Sequence, residues 1–190
     1  MVDLFKQAWD VVKKDYVAWL VLYGVFFLVV SATMGLGGVL WPNVLRETRQ
    51  AVREERAPGL SLLFNLDKLA NDAINYVVYY GAIMATSMVG LTVFAQVGLS
   101  WQMVLAAEDQ YSPVDNAKLS VKHVLGNLGD HVMFMLVASA LILPTMCLCF
   151  LPLPLVMPIV GVAQWLWYER EIEHFDTLAT DSGIPRQLTG

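Results

Sequence analysis

The stretch VAWLVLYGVFFLVVSATMGLGGVLWPNVL, residues 17–45, is a run of 29 positions without Asp, Glu, Lys or Arg. Two later stretches share this property: residues 73–107, with 35 positions, and residues 132–168, with 37. A helix needs about 20 predominantly apolar residues to cross a bilayer. Each run is long enough for at least one crossing, so the sequence predicts an all-α integral membrane protein.

The composition of the whole chain supports this class. Of its 190 residues, 57% are hydrophobic and 15% are charged, whereas a soluble domain carries about 25% charged residues. The length suits one compact helical bundle. We therefore expect a single helical membrane domain at residues 1–175, followed by a polar tail at 176–190 that is flexible or bound to a partner.

Each apolar run follows a segment with apolar residues at i, i+4, i+7 and i+11, a spacing typical of an amphipathic helix. The three stripes are Phe5, Trp9, Val12 and Tyr16; Leu62, Leu66, Leu69 and Ala73; and Val121, Leu125, Leu128 and Val132. Their similar offsets predict three repeated units, at about 1–56, 57–111 and 112–175. Such spacing is also easy to find in any chain this apolar.

The run lengths lie between one span and two. Residues that interrupt helices stand near the middle of each run: Gly35, Gly37 and Gly38; Gly90; and Pro144, Pro152, Pro154 and Pro158. These breakers predict that each run folds as a helical hairpin, giving up to six membrane helices. In particular, CFLPLPLVMP at 149–158 is not expected to continue as a regular helix. The alternative splits only the Pro-rich run and gives four spans.

The distribution of basic residues favours hairpins. Residues 1–16, 46–72, 108–131 and 169–190 contain 3, 5, 2 and 2 Lys+Arg, respectively. With three single spans, the most basic segment would lie opposite the N-terminus, against the positive-inside rule. With three hairpins, every polar segment and both termini lie on one side, which would be cytoplasmic.

The segment VLRETRQAVREERAPG, residues 44–59, carries a row of arginines between two apolar runs. On one helix ending at Pro58-Gly59, spacings of 3, 7 and 10 would place Arg46, Arg49, Arg53 and Arg56 within roughly 80° of surface. The glutamates Glu47, Glu54 and Glu55 would fall on the far side. We predict that the arginines contact anionic lipid headgroups. The alternative is a solvated helix with local Glu–Arg pairs, whereas nucleic acid is disfavoured because no aromatic residues are interleaved.

Further residues are candidates for anchoring and helix packing. Aromatic side chains near the ends of the runs predict interfacial anchors: Trp9, Trp19, Trp41, Trp165, Trp167 and Tyr168. Gly81-x-x-x-Ala85 is a small-residue packing signal, and Gln96 and Gln164 are expected to form hydrogen bonds between helices.

The sequence contains few residues of the types that transfer protons, bind metals or catalyse reactions. The runs contain no carboxylate, histidine or basic residue, which disfavours a pump or proton-coupled carrier. Glu171-x-x-His174 has the spacing of half a di-metal site, but the chain has no second half. We expect the three histidines to be solvated or interfacial, and Cys147 and Cys149 to pack apolar surface. No phosphate loop or nucleophile elbow is present, so we predict a protein that is not an enzyme and holds no metal or cofactor.

The order of features resembles a known group of sequences. The segments LRETRQAVREERAPG and LLFNLDKLANDAINYVVYYG, followed by the Pro-interrupted run AKLSVKHVLGNLGDHVMFMLVASALILPTMCLCFLPLPLVMPIVGVAQWLWYE, are similar to uncharacterised prokaryotic multi-span membrane proteins grouped as domains of unknown function. The element Ala57-Pro58-Gly59-Leu60 departs from the Gly-x-x-Leu-Pro type of those families. The resemblance implies an α-helical protein of the prokaryotic cytoplasmic membrane with its polar segments on one side. It implies no activity.

These observations lead to one main hypothesis and two alternatives. The main hypothesis is a non-enzymatic polytopic protein that acts by assembly, as a homo-oligomer or as an accessory subunit of a membrane complex. The first alternative is a passive channel or transporter, for which Gln96, Gln102 and Gln164 would line the path. The second is membrane shaping by short hairpins with flanking amphipathic helices.

Overall fold

A computed structural model describes residues 1–88, 92–147 and 153–186, without the side chains of Val93, Met146 and Cys147. Gly90, Cys149 and Pro152, which entered the sequence predictions, lie outside the described residues. Within the described ranges all regular structure is helical, as predicted. The helices are α1 (Val2–Val12), α2 (Tyr16–Ala32), α3 (Trp41–Arg53), α4 (Leu69–Ser87), α5 (Thr92–Gly98), α6 (Gln102–Glu108), α7 (Pro113–Gly126), α8 (Leu128–Cys147) and α9 (Leu153–Asp181).

The first apolar run reverses direction after α2. Met34 and Gly35 adopt φ values of 52° and 97°, and the Gly35 amide donates to the Val30 carbonyl at 2.8 Å. This left-handed ending is a common helix terminus, and the second position favours glycine because a Cβ would be strained there. The chain returns through a short 3₁₀ helix, Leu36–Leu40, into α3. The predicted reversal at the glycines is therefore present.

The long helix α9 runs through the core and packs against α1, α2, α3, α7 and α8. Its Gly161 permits one close approach: a Cβ there would lie 2.0 Å from the hydroxyl oxygen of Tyr23 on α2. The Tyr23 side chain is fully buried, and its hydroxyl is 3.3 Å from Thr48 Oγ1 on α3. The arms of the first hairpin and α9 therefore meet at one point.

The second predicted amphipathic helix is absent, because α4 begins only at Leu69. The preceding segment forms turns instead. The Asn65 side chain accepts a hydrogen bond from the Asp67 amide, a local contact that favours a turn over a helix. Asn43 on α3 donates to the carbonyl oxygens of Leu63 and Asn65. These bonds tie the segment to α3 in a non-helical conformation.

The three apolar stripes also differ in phase. In α7 the buried residues include Leu119 and Val124, whereas Val121 and Leu125 of the predicted stripe are exposed. In the first stripe Phe5 and Val12 are buried, whereas Trp9 is half exposed and Tyr16, at the start of α2, is partly buried. The tertiary contacts of α7 therefore override the period that the sequence suggested, and the unit boundaries stay predictions.

The proline-rich segment differs from the sequence expectation. Helix α9 begins at Leu153, so LPLVMP at 153–158 is helical. Pro154 occupies the first turn, where a backbone N–H has no helical partner in any case. Pro158 lies inside the helix, as Pro144 does in α8. The prediction that this segment cannot continue as a helix is therefore wrong for residues 153–158.

Two of the described helical stretches are long and apolar enough to cross a membrane, Val2–Ala32 and Leu128–Thr145. In the most apolar part of each, only 22% of the residues are buried inside the protein. Most residues in these parts are therefore partly or fully exposed.

Candidate functional site

Arg46 is held in place by a network of hydrogen bonds. Its two terminal nitrogens lie 2.6 and 2.7 Å from the carboxylate oxygens of Asp72, at the start of α4. The same guanidinium donates to Asn43 Oδ1 and to the Ala106 carbonyl. The Asp72 side chain is 1% exposed and that of Arg46 is 14% exposed. Such a bidentate pair fixes both position and orientation.

Arg49 and Arg53 each form an ion pair with one carboxylate. Arg49 Nη1 lies 3.1 Å from Glu108 Oε2 at the end of α6, and Arg53 Nε lies 2.7 Å from Glu169 Oε1 on α9. Both guanidinium carbons lie 5.7 Å from the ring centroid of Trp165, within the range of a cation–π contact. The same tryptophan ring thus supports both arginines.

Arg56 lies outside α3. The helix ends at Arg53, because Glu55 adopts a left-handed φ of 49° and the Arg56 amide bonds to the Ala51 carbonyl. The chain then reverses and places Arg56 Nη1 2.6 Å from Glu47 Oε1, which also accepts from the Gly59 amide. The four arginines therefore do not share one helix face.

The carboxylates that pair with Arg46, Arg49 and Arg53 lie at the ends of the apolar runs. Arg46 directly follows the first run, Asp72 precedes the second, Glu108 follows the second and Glu169 follows the third. Three ion pairs consequently gather these ends of all three runs around α3. These carboxylates were not among the site residues predicted from the sequence. Each of them directly borders a charge-free run, and the arginine row lies between two such runs. This pattern is the sequence signal that could have identified them.

A polar cavity of about 470 Å³ lies beside α3. It is bounded by α3, by the turns after it and by the end of α6. The lining residues are Asn43, Arg46, Arg49, Gln50, Arg53, Glu54, Leu62, Asn65, Asp67, Lys68, Ala107, Glu108 and Asp109. The cavity therefore includes three members of the arginine row.

Glu108 is the most deeply buried charged side chain of this cavity, at 3% exposure. Its Oε1 has no hydrogen-bond partner among the described residues. Burial raises the pKa of Glu108 above its usual value, while the charges of Arg49 and Arg53 oppose that shift. The carboxyl group is therefore easier to protonate than an exposed glutamate.

A second polar network joins α4, α6 and α7. The Asn116 side chain donates to Asn75 Oδ1 at 3.2 Å, and Gln102 Nε2 donates to the Asn75 carbonyl at 3.1 Å. All three side chains are fully buried. Of the polar residues that the channel hypothesis invoked, Gln102 thus bonds inside the protein. Gln164 Nε2 donates to the Ser100 carbonyl at 2.7 Å, and Gln96 is exposed.

The aromatic residues predicted as anchors occupy several environments. Buried in the core are Trp19, Trp165, Trp167 and Tyr168. The Trp41 ring is partly buried and packs against Tyr23. The Trp9 ring is 46% exposed. In this structure most of these rings pack against other helices.

His123 and His131 are buried, so the expectation that they are solvated is wrong. Their ring centroids are 5.2 Å apart, and Trp101 Nε1 donates to His131 Nε2 at 3.3 Å. Burial, with smaller contributions from His131 and His174, lowers the pKa of His123 to about 3, which keeps this ring neutral near pH 7. Among the described residues, no group of His, Cys, Asp and Glu is arranged to hold a metal ion.

The predicted packing motif on α4 faces outward. Gly81 and Ala85 are exposed, and a Cβ at Gly81 would meet no atom within 4 Å. Val77 and Met88 on the same face are also exposed. This face of α4 is therefore open to another helix.

In the part of the chain that the structure describes, the protein is all-helical, and ion pairs bring ends of the three apolar runs together at α3. Comparison with protein-family models, curated proteins and solved structures found no match. The resemblance to uncharacterised prokaryotic membrane families stays a prediction.

Proposed function

We propose that this protein is a polytopic protein of the prokaryotic cytoplasmic membrane that acts by assembly, as a homo-oligomer or as an accessory subunit of a membrane complex. The observation that carries the proposal is the apolar surface that α2, α4 and α8 turn outward. Side chains more than half exposed on these faces include Val17, Leu28, Val77, Met84, Leu136 and Leu143. Monomeric soluble proteins rarely expose contiguous apolar patches above a few hundred Å², so lipid or another chain is the expected environment.

The two apolar stretches Val2–Ala32 and Leu128–Thr145 are the first candidates to cross the bilayer. Core helices of soluble proteins are mostly buried, whereas these two are not. For the remaining arms we favour three hairpins over four spans. The ion pairs between α3 and the ends of all three runs support an arrangement with those ends on one side.

The positive-inside rule would make this side cytoplasmic, because residues 46–72 hold 5 of the 12 basic residues. Arg46 and Arg56 are engaged by carboxylates through several hydrogen bonds. The proposed contact with anionic headgroups therefore falls mainly to Arg49 and Arg53, whose side chains are 30% and 41% exposed.

The open face of α4 is the proposed contact between copies. Val77, Gly81, Ala85 and Met88 follow each other at spacings of four, four and three residues, so they lie along one side of the helix. Small residues at the centre of such a face let two membrane helices approach closely. A second copy of α4 would fit there.

The test is the oligomeric state of the detergent-purified protein, measured by size exclusion with light scattering. We expect the wild type to form an oligomer of fixed size and Gly81→Ile to dissociate it, because the larger side chain would keep the helices apart. Gly24→Ile on α2 is the matched control, since a Cβ there also meets no atom within 4 Å. A monomeric wild type, or equal dissociation by Gly24→Ile, would contradict the proposal.

A further inference from the structure

We propose that the polar cavity beside α3 binds a phosphate monoester, with the phosphate held by Arg49 and Arg53 and sharing one proton with Glu108. This inference deepens the headgroup contact proposed for Arg49 and Arg53, and it does not depend on the proposed assembly. The phosphate could belong to a soluble metabolite or to a lipid headgroup, and the shared chemistry is a phosphate with one ester bond.

The cavity has the size and access that a small ligand needs. Its volume of about 470 Å³ lies in the usual range of small-molecule sites, roughly 300–1,000 Å³. Exposed Gln50 and Asp67 are among its lining residues, so it reaches the protein surface. Arg49 and Arg53 lie on successive turns of α3 and both line this space.

These two arginines have unused hydrogen-bond donors. The structure gives Arg49 one ion pair, through Nη1, and gives Arg53 one, through Nε. Within the described part of the chain, their other N–H groups make no hydrogen bond. The ring centroid of Trp165 lies 5.7 Å from both guanidinium carbons. Guanidinium groups with free N–H donors suit the multidentate recognition of phosphate oxygens.

The other carboxylates of the cavity are already occupied or exposed. Glu54 accepts from Arg56, and Asp109 accepts from Lys68 and Asn71. Asp67 is exposed. Arg46 and Lys68 also line the cavity but are paired with Asp72 and Asp109, which leaves Arg49 and Arg53 to receive an anion.

Glu108 identifies the ligand as one that brings a proton. Its Oε1 is buried without a partner in the described residues, and such a group costs about 1–3 kcal/mol. Glu108 lines the cavity, so a turn of its side chain would bring this oxygen to a ligand there. A phosphate monoester has a second pKa near 6, so its protonated form can donate an O–H to this oxygen. If the proton instead lies on Glu108, the carboxyl group donates to a phosphate oxygen. In both arrangements a hydrogen bond joins Glu108 to the phosphate, and the shared proton relieves the repulsion between their negative charges.

The charged surroundings of Glu108 agree with a shared proton. Arg49 and Arg53 face it from α3, Glu169 faces it from α9, and the Gln110 side chain approaches from beyond α6. The two arginines favour the carboxylate, but burial and Glu169 favour the neutral acid, and the pKa is raised on balance. An incoming dianionic phosphate would raise it further, so binding should take up a proton.

The experiment uses the full chain in neutral detergent and isothermal titration calorimetry near pH 7. The probes are glycerol phosphate for a soluble source and short-chain phosphatidate in mixed micelles for a lipid source. Sulfate and phosphatidylglycerol are the reference anions, because neither carries a proton that titrates in this range. We expect one monoester to bind at least about tenfold tighter than its reference, a preference typical of charge-assisted hydrogen bonds.

Single substitutions test the two arginines and Glu108 separately. Arg49→Gln should weaken monoester binding about tenfold or more, and Arg53→Gln, at a more exposed position, serves if Arg49→Gln unfolds. Glu108→Gln should still bind but lose the proton uptake, which is read from the dependence of the enthalpy on buffer ionisation. Arg170→Gln, at an exposed site on α9, is the control and should bind as the wild type does. Absence of binding by both monoesters, equal binding of the reference anions or an equal loss in Arg170→Gln would overturn the inference.

Discussion

Replacing Arg46 with Gln is expected to lower the free energy of unfolding by about 3–5 kcal/mol, the usual cost of removing one partner from a buried ion pair. The reason is the carboxylate left behind. Asp72 is 1% exposed and receives two hydrogen bonds from Arg46, so the variant retains a buried charge without its partner. The measurement is reversible unfolding by SDS in mixed micelles, followed by circular dichroism.

A double-mutant cycle isolates the pair itself. Asp72→Asn should also destabilise, but the double variant Arg46→Gln/Asp72→Asn should cost less than the sum of the single changes, because no unpaired charge remains. Arg170→Gln is the control, since its guanidinium is exposed and bonds only to Gln7 among the described residues; we expect a change within about 0.5 kcal/mol. If Arg46→Gln is as mild as this control, the ion pair does not stabilise the fold.

The substitution Gly161→Ala is expected to destabilise the protein by about 1–3 kcal/mol, the range for overpacking a close contact. The added Cβ would lie 2.0 Å from the Tyr23 hydroxyl oxygen, so α2 and α9 would have to separate. Gly24→Ala introduces the same atom where nothing lies within 4 Å. That control should be neutral or slightly stabilising, because alanine favours a helix over glycine by about 1 kcal/mol.

Removing the hydroxyl should rescue the helix contact. In Tyr23→Phe the nearest remaining atom to the new Cβ is the ring carbon Cζ, at 3.2 Å. Tyr23→Phe alone should cost about 1 kcal/mol for the lost hydrogen bond to Thr48. We expect Gly161→Ala to add little to this cost in the double variant. The same SDS titration decides: equal effects of Gly161→Ala in the presence and absence of the hydroxyl would contradict the contact.

The part of the fold that could be predicted from the sequence is the part set by local rules. A charge-free run with central glycines predicts helices and a reversal, and Gly35 marks that reversal because of its positive φ. The start of α7 follows a local rule of its own, because the Ser112 hydroxyl caps the helix by accepting from the Asp115 amide and Pro113 takes the first helical position. These signals act within a few residues.

The remaining features depend on contacts between distant residues. Helical periodicity could not reveal that Asn43 holds residues 63 and 65 in turns, which replaces the second amphipathic helix. Periodicity also could not show that Val121 and Leu125 face outward, because packing against α6 and α9 determines which face of α7 is buried. Local sequence signals therefore predicted where the helices form better than which face of each helix is buried.

The arginine row shows the same limit at the candidate site. Its spacing correctly suggested that three of the residues share a helix, but the cap at Glu55 removes Arg56 from it. The acidic partners come from 26, 59 and 116 residues away, as Arg46–Asp72, Arg49–Glu108 and Arg53–Glu169. Composition alone could not distinguish these pairs from headgroup contacts.

We propose that the ion pairs of α3 hold the polar segments on one side of the membrane. The most direct test of this proposal is labelling of single cysteines with an impermeant maleimide in right-side-out and inverted vesicles, in a Cys147→Ser/Cys149→Ser background. The positions are Ser61, Thr177 and Met34, all of which are exposed. We expect Ser61→Cys and Thr177→Cys to react from the cytoplasmic side and Met34→Cys from the opposite side. Labelling of Ser61→Cys and Thr177→Cys from opposite sides would contradict the proposal.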